Sequence, residues 1–294
     1  MKTGIIILNY NDYETTYDML NRIKNFKEID IIVVVDNMSL DNSYERLKKI
    51  ENEKIKVISS NENKGYASGN NVGIKYLVDN YKVDNIIISN PDIILKDSDI
   101  KILKDDLKNN KNIDIISPYI DERGKISRGW KLPRYIDELL CNMNFFHKIG
   151  ENNLKYKDDY YKDDLTKVDV VSGCFFMIRK ESFEKIGYFD ENTFLYYEEN
   201  IIGKKLKDNN MNTYVDKRVN IIHNLSISVN KSFNSIKKYK ILKQSQKYYQ
   251  KEYNKLNIFG MILLRFVYYI SLIISYIVCF FRNFGGKRWK RTLL

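Results

Sequence analysis

Cysteine, histidine and proline are scarce in this chain of 294 residues. The three cysteines, Cys141, Cys174 and Cys279, are odd in number and far apart, which excludes a disulfide framework and the paired spacing of a zinc site. A reducing compartment is expected. With only His147 and His223 present, a histidine-rich metal centre is excluded as well. No Gly-Lys-Ser/Thr phosphate loop, no dinucleotide fingerprint and no obvious Ser/His/Asp constellation occurs. From Met1 the chain runs directly into an apolar strand pattern, without the h-region and cleavage site of a secretion signal, so a cytoplasmic setting is expected.

Acid is what the end of the chain lacks. Residues 231–294 hold fourteen Lys and Arg against one acid, Glu252, so the net charge of +11 belongs to the tail. The first 230 positions are nearly neutral, and this segregation argues against a nucleic-acid partner. The tail also carries the strongest hydrophobic run, residues 256–281, interrupted by Arg265 and followed by Lys287, Arg288, Lys290 and Arg291 around Trp289. The run is long enough to cross a bilayer, but its uncharged part after Arg265 is only about 16 residues, short of a full span. Basic flanks on both sides leave its orientation open. A Lys/Tyr-rich stretch, 237–255, precedes it and suits anionic lipid. Membrane association is expected, an in-plane or re-entrant helix ahead of a full crossing; helices packing on the main domain or on a partner subunit are the alternative.

Apolar runs at 4–8, 31–35, 55–59 and 85–89 read as buried parallel strands, continuous rather than alternating. Between them Tyr17, Leu20, Ile23 and Phe26 recur at helical spacing, and 69–80 reads as another helix. This is an α/β pattern: a mostly parallel sheet flanked by helices, with the ligand crevice at the C-terminal strand ends. Polar residues follow those ends: Asn9-Tyr10-Asn11, then Asp36-Asn37-Met38-Ser39-Leu40-Asp41, then Asn90-Pro91-Asp92. Asp41 and Ser43 read as caps of the next helix, and Asp97-Ser98-Asp99 as acids at a helix start. Asp36, directly after five β-branched residues, reads as an acceptor facing a base or ribose. The glycines at 65, 69 and 73 lie in Asn63-Lys64-Gly65-Tyr66-Ala67-Ser68-Gly69-Asn70-Asn71-Val72-Gly73, read either as backbone brought close to a phosphate or as a plain turn.

Taken in order, these segments, with Ser172-Gly173-Cys174-Phe175-Phe176-Met177-Ile178-Arg179 and Gly187-Tyr188-Phe189-Asp190, resemble the family 2 glycosyltransferases. The closest likeness is to the rhamnosyltransferase-like and capsular or surface polysaccharide branch. The resemblance covers about residues 3–228. It implies a GT-A fold, a dTDP-, UDP- or GDP-linked sugar donor, Mg²⁺ or Mn²⁺, and inversion at the anomeric carbon. It further implies donor contacts at Asn9, Tyr10, Asp36, Asn37, Lys64, Gly65, Asn71 and Asn90. Asp92 resembles the last carboxylate of the metal-binding Asp-x-Asp element, with Asn90 where the first aspartate would stand. His223, in the family's His-x-x-x-x-Ser segment ending at Ser228, would contact metal or diphosphate; on its own it reads equally as a core histidine. His147 is assigned nothing.

Tyr196-Tyr197-Glu198-Glu199 resembles the segment that supplies the catalytic base. Glu199 replaces the usual aspartate, Ile201 stands where another acid is frequent, and Glu198 is the substitute. Taken alone, the pair reads as two acids favourably placed in a first helical turn. The expected organisation is a GT-A domain at 1–230, split into a nucleotide-sugar half at 1–117 and an acceptor and catalytic half at 118–230, followed by a basic, hydrophobic helical tail at 231–294. From Pro118 to Lys167 the pattern breaks into mixed aromatic and charged residues, Trp130 among them, read as acceptor-side loops. The expected acceptor is a polysaccharide or polyprenyl-linked hydroxyl at the cytoplasmic face of the plasma membrane, with an oligomer possible. A catalytically silent GT-A partner positioning an active transferase is the alternative, supported by Asn90, Glu199 and Ile201. A nucleotidyltransferase would want a basic glycine-rich loop after the first strand, and none is present.

Overall fold

The computed structural model describes residues 1–143, 145–224 and 235–284. Ser228 and the basic cluster from Lys287 to Arg291 lie outside the described residues. The chain divides into two compact units, Met1–Leu132 with Lys155–Phe233, and Pro133–Leu154 with Asn234–Leu294. Residues 133–154 thus group with the tail, a division different from the break expected at 230.

The first unit is built on one sheet. In chain order it contains β1 (Thr3–Asn9), α1 (Tyr13–Ile23), β2 (Ile31–Asp36), α2 (Ser43–Lys48), β3 (Ile55–Ser59), α3 (Tyr66–Asn80), β4 (Asn85–Ser89), β5 (Ile93–Ile94), α4 (Asp97–Asn109), β6 (Ile115–Glu122) and β7 (Lys125–Ser127). The second unit's α5 (Tyr135–Asn142) and α6 (His147–Leu154) intervene before β8 (Leu165–Val168), β9 (Phe175–Arg179), α7 (Lys180–Lys185), α8 (Glu198–Asp208) and β10 (Thr213–His223). The tail then forms α9 (Ser235–Glu252) and α10 (Ile258–Phe284).

Sheet order is β3-β2-β1-β4-β9-β6-β10-β5, with β7 beside β6 and β8 beside β10. The first four strands are parallel, whereas β9 runs antiparallel between β4 and β6. Alternate side chains of the apolar strands feed opposite faces. Ile5, Ile7, Ile32 and Val34 pack with Met19, Leu20 and Ile23 of α1 and with Ile100, Leu103 and Leu107 of α4. Ile6, Val33 and Val35 pack with Ile74 and Leu77 of α3, Phe183 of α7, and Ile202 and Leu206 of α8. Both faces are covered, which is why these strands carry no polar alternation.

Two expectations change. The helix expected at 69–80 begins at Tyr66, so Gly69 and Gly73 lie inside α3 rather than in a ligand-facing loop. A Cβ at Gly73 would sit 2.7 Å from both Ile6 and Val35, so these glycines let the helix approach the sheet closely. The segment from Pro118 is not all loop either: β6 continues through Pro118 to Glu122 and pairs with β10 across an irregular register between Asp216 and Asn220. Pro118 is tolerated there because β9 pairs β6 only at Ile115 and Ile116, so the missing N–H disrupts no ladder on that side.

Gly65 precedes α3 at φ 103°, and a Cβ there would lie 1.9 Å from the Phe194 carbonyl oxygen. Gly65→Ala is therefore expected to lose about 2–4 kcal/mol, backbone strain and overpacking together, read as a lowered denaturation midpoint. Ser68→Ala, on the same helix, should leave the midpoint nearly unchanged.

Candidate functional site

The C-terminal ends of β1 and β2 are laced by side chains. Asn9 Nδ2 donates to Asp36 Oδ1 at 2.8 Å, the Ser39 N–H donates to Asp36 Oδ2 at 2.9 Å, and Thr16 Oγ1 donates to Asn9 Oδ1 at 2.8 Å. Asp36 is 1% exposed, so its carboxylate first organises these two loops. Asn37 donates to Asn63 Oδ1 and to the Gly65 carbonyl and accepts from Ser60 Oγ, tying β2 to the start of α3. Tyr10 is half-buried beside them.

Other expected donor contacts have structural partners. Lys64 is exposed and pairs with Glu62. Asn71 donates to the Phe189 carbonyl at 3.0 Å and to Glu191 at 2.8 Å and accepts from the Phe189 N–H, clamping α3 to the Gly-Tyr-Phe-Asp turn. Asp97 accepts from the Lys27 and Glu28 N–H groups, and Asp99 from the Lys96 N–H, in keeping with a helix start.

Past β4, the Asn90 N–H donates to the Cys174 carbonyl at 2.8 Å, and β5 pairs Ile93 with His223. This brings Asp92 onto His223: Nε2 lies 3.3 Å from Asp92 Oδ1, while Nδ1 lies 3.1 Å from Glu122 Oε1. The Cys174 sulfur completes the group, and ligand atoms of Glu122, Cys174 and His223 all lie within 4.8 Å of one another. Burial opposes the imidazolium, but hydrogen bonds to Asp92, Cys174 and Glu122 outweigh it and raise the His223 pKa to about 12. Glu122 and Cys174 were missed at the sequence level; each is one polar residue at a strand end, without a spacing signal.

Across the Ser172-Gly173-Cys174 strip stands α8. Tyr196 and Tyr197 both hold φ near 73°, rare for aromatic residues, and turn the chain so that Glu198 and Glu199 open the helix. Glu199 Oε2 lies 3.7 Å from where a Gly173 Cβ would be, an ordinary van der Waals distance that sets the carboxylate against the strip. The Tyr66 hydroxyl donates to the Gly173 carbonyl at 2.8 Å; burial, then Cys174 and the two glutamates, push its pKa well up. Trp130 Nε1 donates to Asn200 Oδ1 at 2.9 Å, setting an indole beside the first turn of α8. Glu198 is 5% exposed with Oε1 unpartnered; burial first, then Glu199, raise it to about 8. Burial raises Glu199 as well, although by solvent exposure it is only partly buried.

The strip therefore joins two groups expected to act together. On one side is Asp92-His223-Cys174 with Glu122; on the other is the glutamate pair. Asp92 and, once its Nε2 proton is displaced, His223 are the residues that would hold a divalent cation, with Glu122 on Nδ1 orienting the imidazole.

These elements define a glycosyltransferase of the GT-A class. The Glycosyl transferase family 2 model matches residues 4–187, and the chain belongs to that family. It is 32% identical over 223 residues to the low-salt glycan biosynthesis hexosyltransferase Agl10 of Haloferax volcanii, covering 75% of this chain and 66% of that protein. It is 24% identical over 139 residues to the rhamnosyltransferase WbbL of Escherichia coli K12, covering 46% of this chain and 51% of that protein. The chain thus spans between half and two-thirds of these relatives. Among solved structures, the mannosyltransferase PcManGT of Pyrobaculum calidifontis, in complex with GDP-Man and Mn²⁺, superposes with TM-score 0.57 at 12% identity, covering 98% of this chain and 76% of that one.

A carboxyl whose folded pKa is raised binds its proton more tightly when folded, so its stabilising effect is lost as pH rises from the unfolded value toward about 8. Glu198→Gln removes this penalty. Its melting temperature is expected to exceed wild type at pH 8 and to match it at pH 5, by about 2–4 °C per kcal/mol relieved. A pH-independent difference would contradict the assignment.

Proposed function

We propose that this chain is an inverting, metal-dependent transferase moving a sugar from a nucleotide diphosphate to a hydroxyl of a cell-surface polysaccharide or lipid-linked oligosaccharide, at the cytoplasmic face of a membrane. The observation that carries this reading is the Ser172-Gly173-Cys174 strip, with Glu199 at one end and the Asp92-His223 pair at the other. Hexosyl and rhamnosyl transfer by the relatives support it.

Asp92 and His223 would hold Mg²⁺ or Mn²⁺, with His223 giving up its Nε2 proton on binding; when bound, the ion neutralises the departing diphosphate. The remaining chemistry falls to Glu199. The acceptor oxygen forms a bond to the anomeric carbon as the bond to the phosphate oxygen breaks, and that oxygen leaves with the electron pair. Glu199 takes the hydroxyl proton, and one displacement inverts the centre. Glu199 rather than Glu198 fits the base because its carboxylate lies against the strip, whereas Glu198 is only 5% exposed. While ionised, Glu199 raises the proton affinity of Glu198, so the two titrate as a pair. Trp130 offers an aromatic face for the acceptor sugar.

Glu199→Gln is expected to lower kcat by about 10²- to 10⁴-fold in a donor screen of UDP-, dTDP- and GDP-sugars with Mn²⁺. Glu198→Gln should retain activity. Nucleotide release that is absent for every donor, or unaffected by Glu199→Gln and Asp92→Asn, would favour the silent-partner reading.

A further inference from the structure

The second unit concentrates exposed apolar surface. Fifteen of the twenty-three large apolar side chains exposed among the described residues belong to it, Phe145 at 97% exposed included. Along Ile258–Ile277, of mean hydropathy 2.0, Phe259, Ile262, Phe266, Tyr269, Ile273 and Ile277 are exposed. At 100° per residue, the exposed apolar positions fall in a single stripe about 140° wide. The opposite side is packed: Leu264 and Val267 join Leu139 of α5, and Ser271 receives the Tyr239 hydroxyl of α9 at 2.6 Å.

One border of the stripe is basic. Arg265 is exposed there, Lys247 of α9 lies 5.0 Å from the Tyr268 ring centroid, and Lys240 lies 5.9 Å from that of Tyr276. Tyr268 falls at the middle of the apolar stretch, so a crossing helix would place Lys247 and Arg265 near the bilayer centre, where cations are costly. An in-plane helix places the same cations at the headgroups.

We propose that α10 lies in the plane of an anionic membrane surface, its apolar stripe immersed at the headgroup–acyl boundary and Lys240, Lys247 and Arg265 at lipid phosphates, without crossing the bilayer. Anionic lipid fits better than a second copy, because two facing copies would bring these like-charged borders together. The inference sharpens the membrane contact proposed above, and its tests read no catalysis, so its failure leaves the transferase reading standing.

The test uses the full chain. In flotation with phosphatidylcholine vesicles containing phosphatidylglycerol, binding should fall at least tenfold on omitting phosphatidylglycerol and at least tenfold in the exposed-site variants Phe266→Asp and Ile262→Asp, with unchanged melting temperature. Depth is read by spin-labelled-lipid quenching of a fluorophore on cysteines introduced at Phe259, Phe266 and Ile273, with native cysteines replaced by alanine. Equal, shallow depths support the proposal. A probe at 266 markedly deeper than the others would mean a crossing helix and overturn it. Absence of vesicle binding together with a dimer mass in solution, abolished by Phe266→Asp, would assign the stripe to a second copy and likewise overturn it.

Discussion

One backbone hydrogen bond, from the Asn90 N–H to the Cys174 carbonyl, holds the site's two halves to the same strand ends. It extends the antiparallel β4–β9 ladder one step beyond Ser89 and Phe175, so the Asn-Pro-Asp turn and the Ser-Gly-Cys strip leave the sheet side by side. From there β5 carries Asp92 onto His223 through its pairing with β10, while Tyr66 and Glu199 close on Gly173 from α3 and α8. On the proposed reading a transferred sugar would meet the leaving-group and base sides at once, a geometry set by backbone pairing before any side chain is chosen.

The same arrangement explains the unusual charge state of the glutamates. Two carboxyls opening one helix gain from its dipole, but burial exceeds that gain at both, with repulsion from Glu199 added at Glu198, and holds both protonation equilibria above the ordinary range. A carboxylate that keeps appreciable proton affinity near neutrality suits a base for an alcohol better than a fully solvated one. The positive φ of Tyr196 and Tyr197 is the conformational expense of putting both acids in the first turn.

Much of the frame could be read from residue pattern because continuous apolar runs mark strands covered on both faces; 55–59 and 85–89 match β3 and β4 to the residue. The reading failed where local chemistry pointed one way and tertiary context another. The start of α3 reads three residues late because the helical cost of its glycines is visible in sequence, whereas the sheet they must approach is not. Pro118 looked like a break because its missing N–H is visible, whereas the unpaired flank of β6 that tolerates it is not. The antiparallel direction of β9 leaves no mark on composition. Of the candidate site, the resemblance points to Asp92, His223 and the glutamates as expectations, whereas Glu122 and Cys174 stand out only when β6 and β9 bring them to one imidazole.

Charge balance links the site to its expected ion. Among the described residues of the candidate site, Asp92 and Glu122 stand against His223 while Glu198 keeps its proton up to about pH 8, so a diphosphate arriving alone would meet no surplus of positive charge. On the proposed reading a divalent cation entering with the donor would supply it, and Asn90 in place of a further aspartate would limit the negative charge the ion must offset. On the proposed reading, anion attraction is divided by chemistry: a cation for the diphosphate, and Lys and Arg of the tail for a lipid surface.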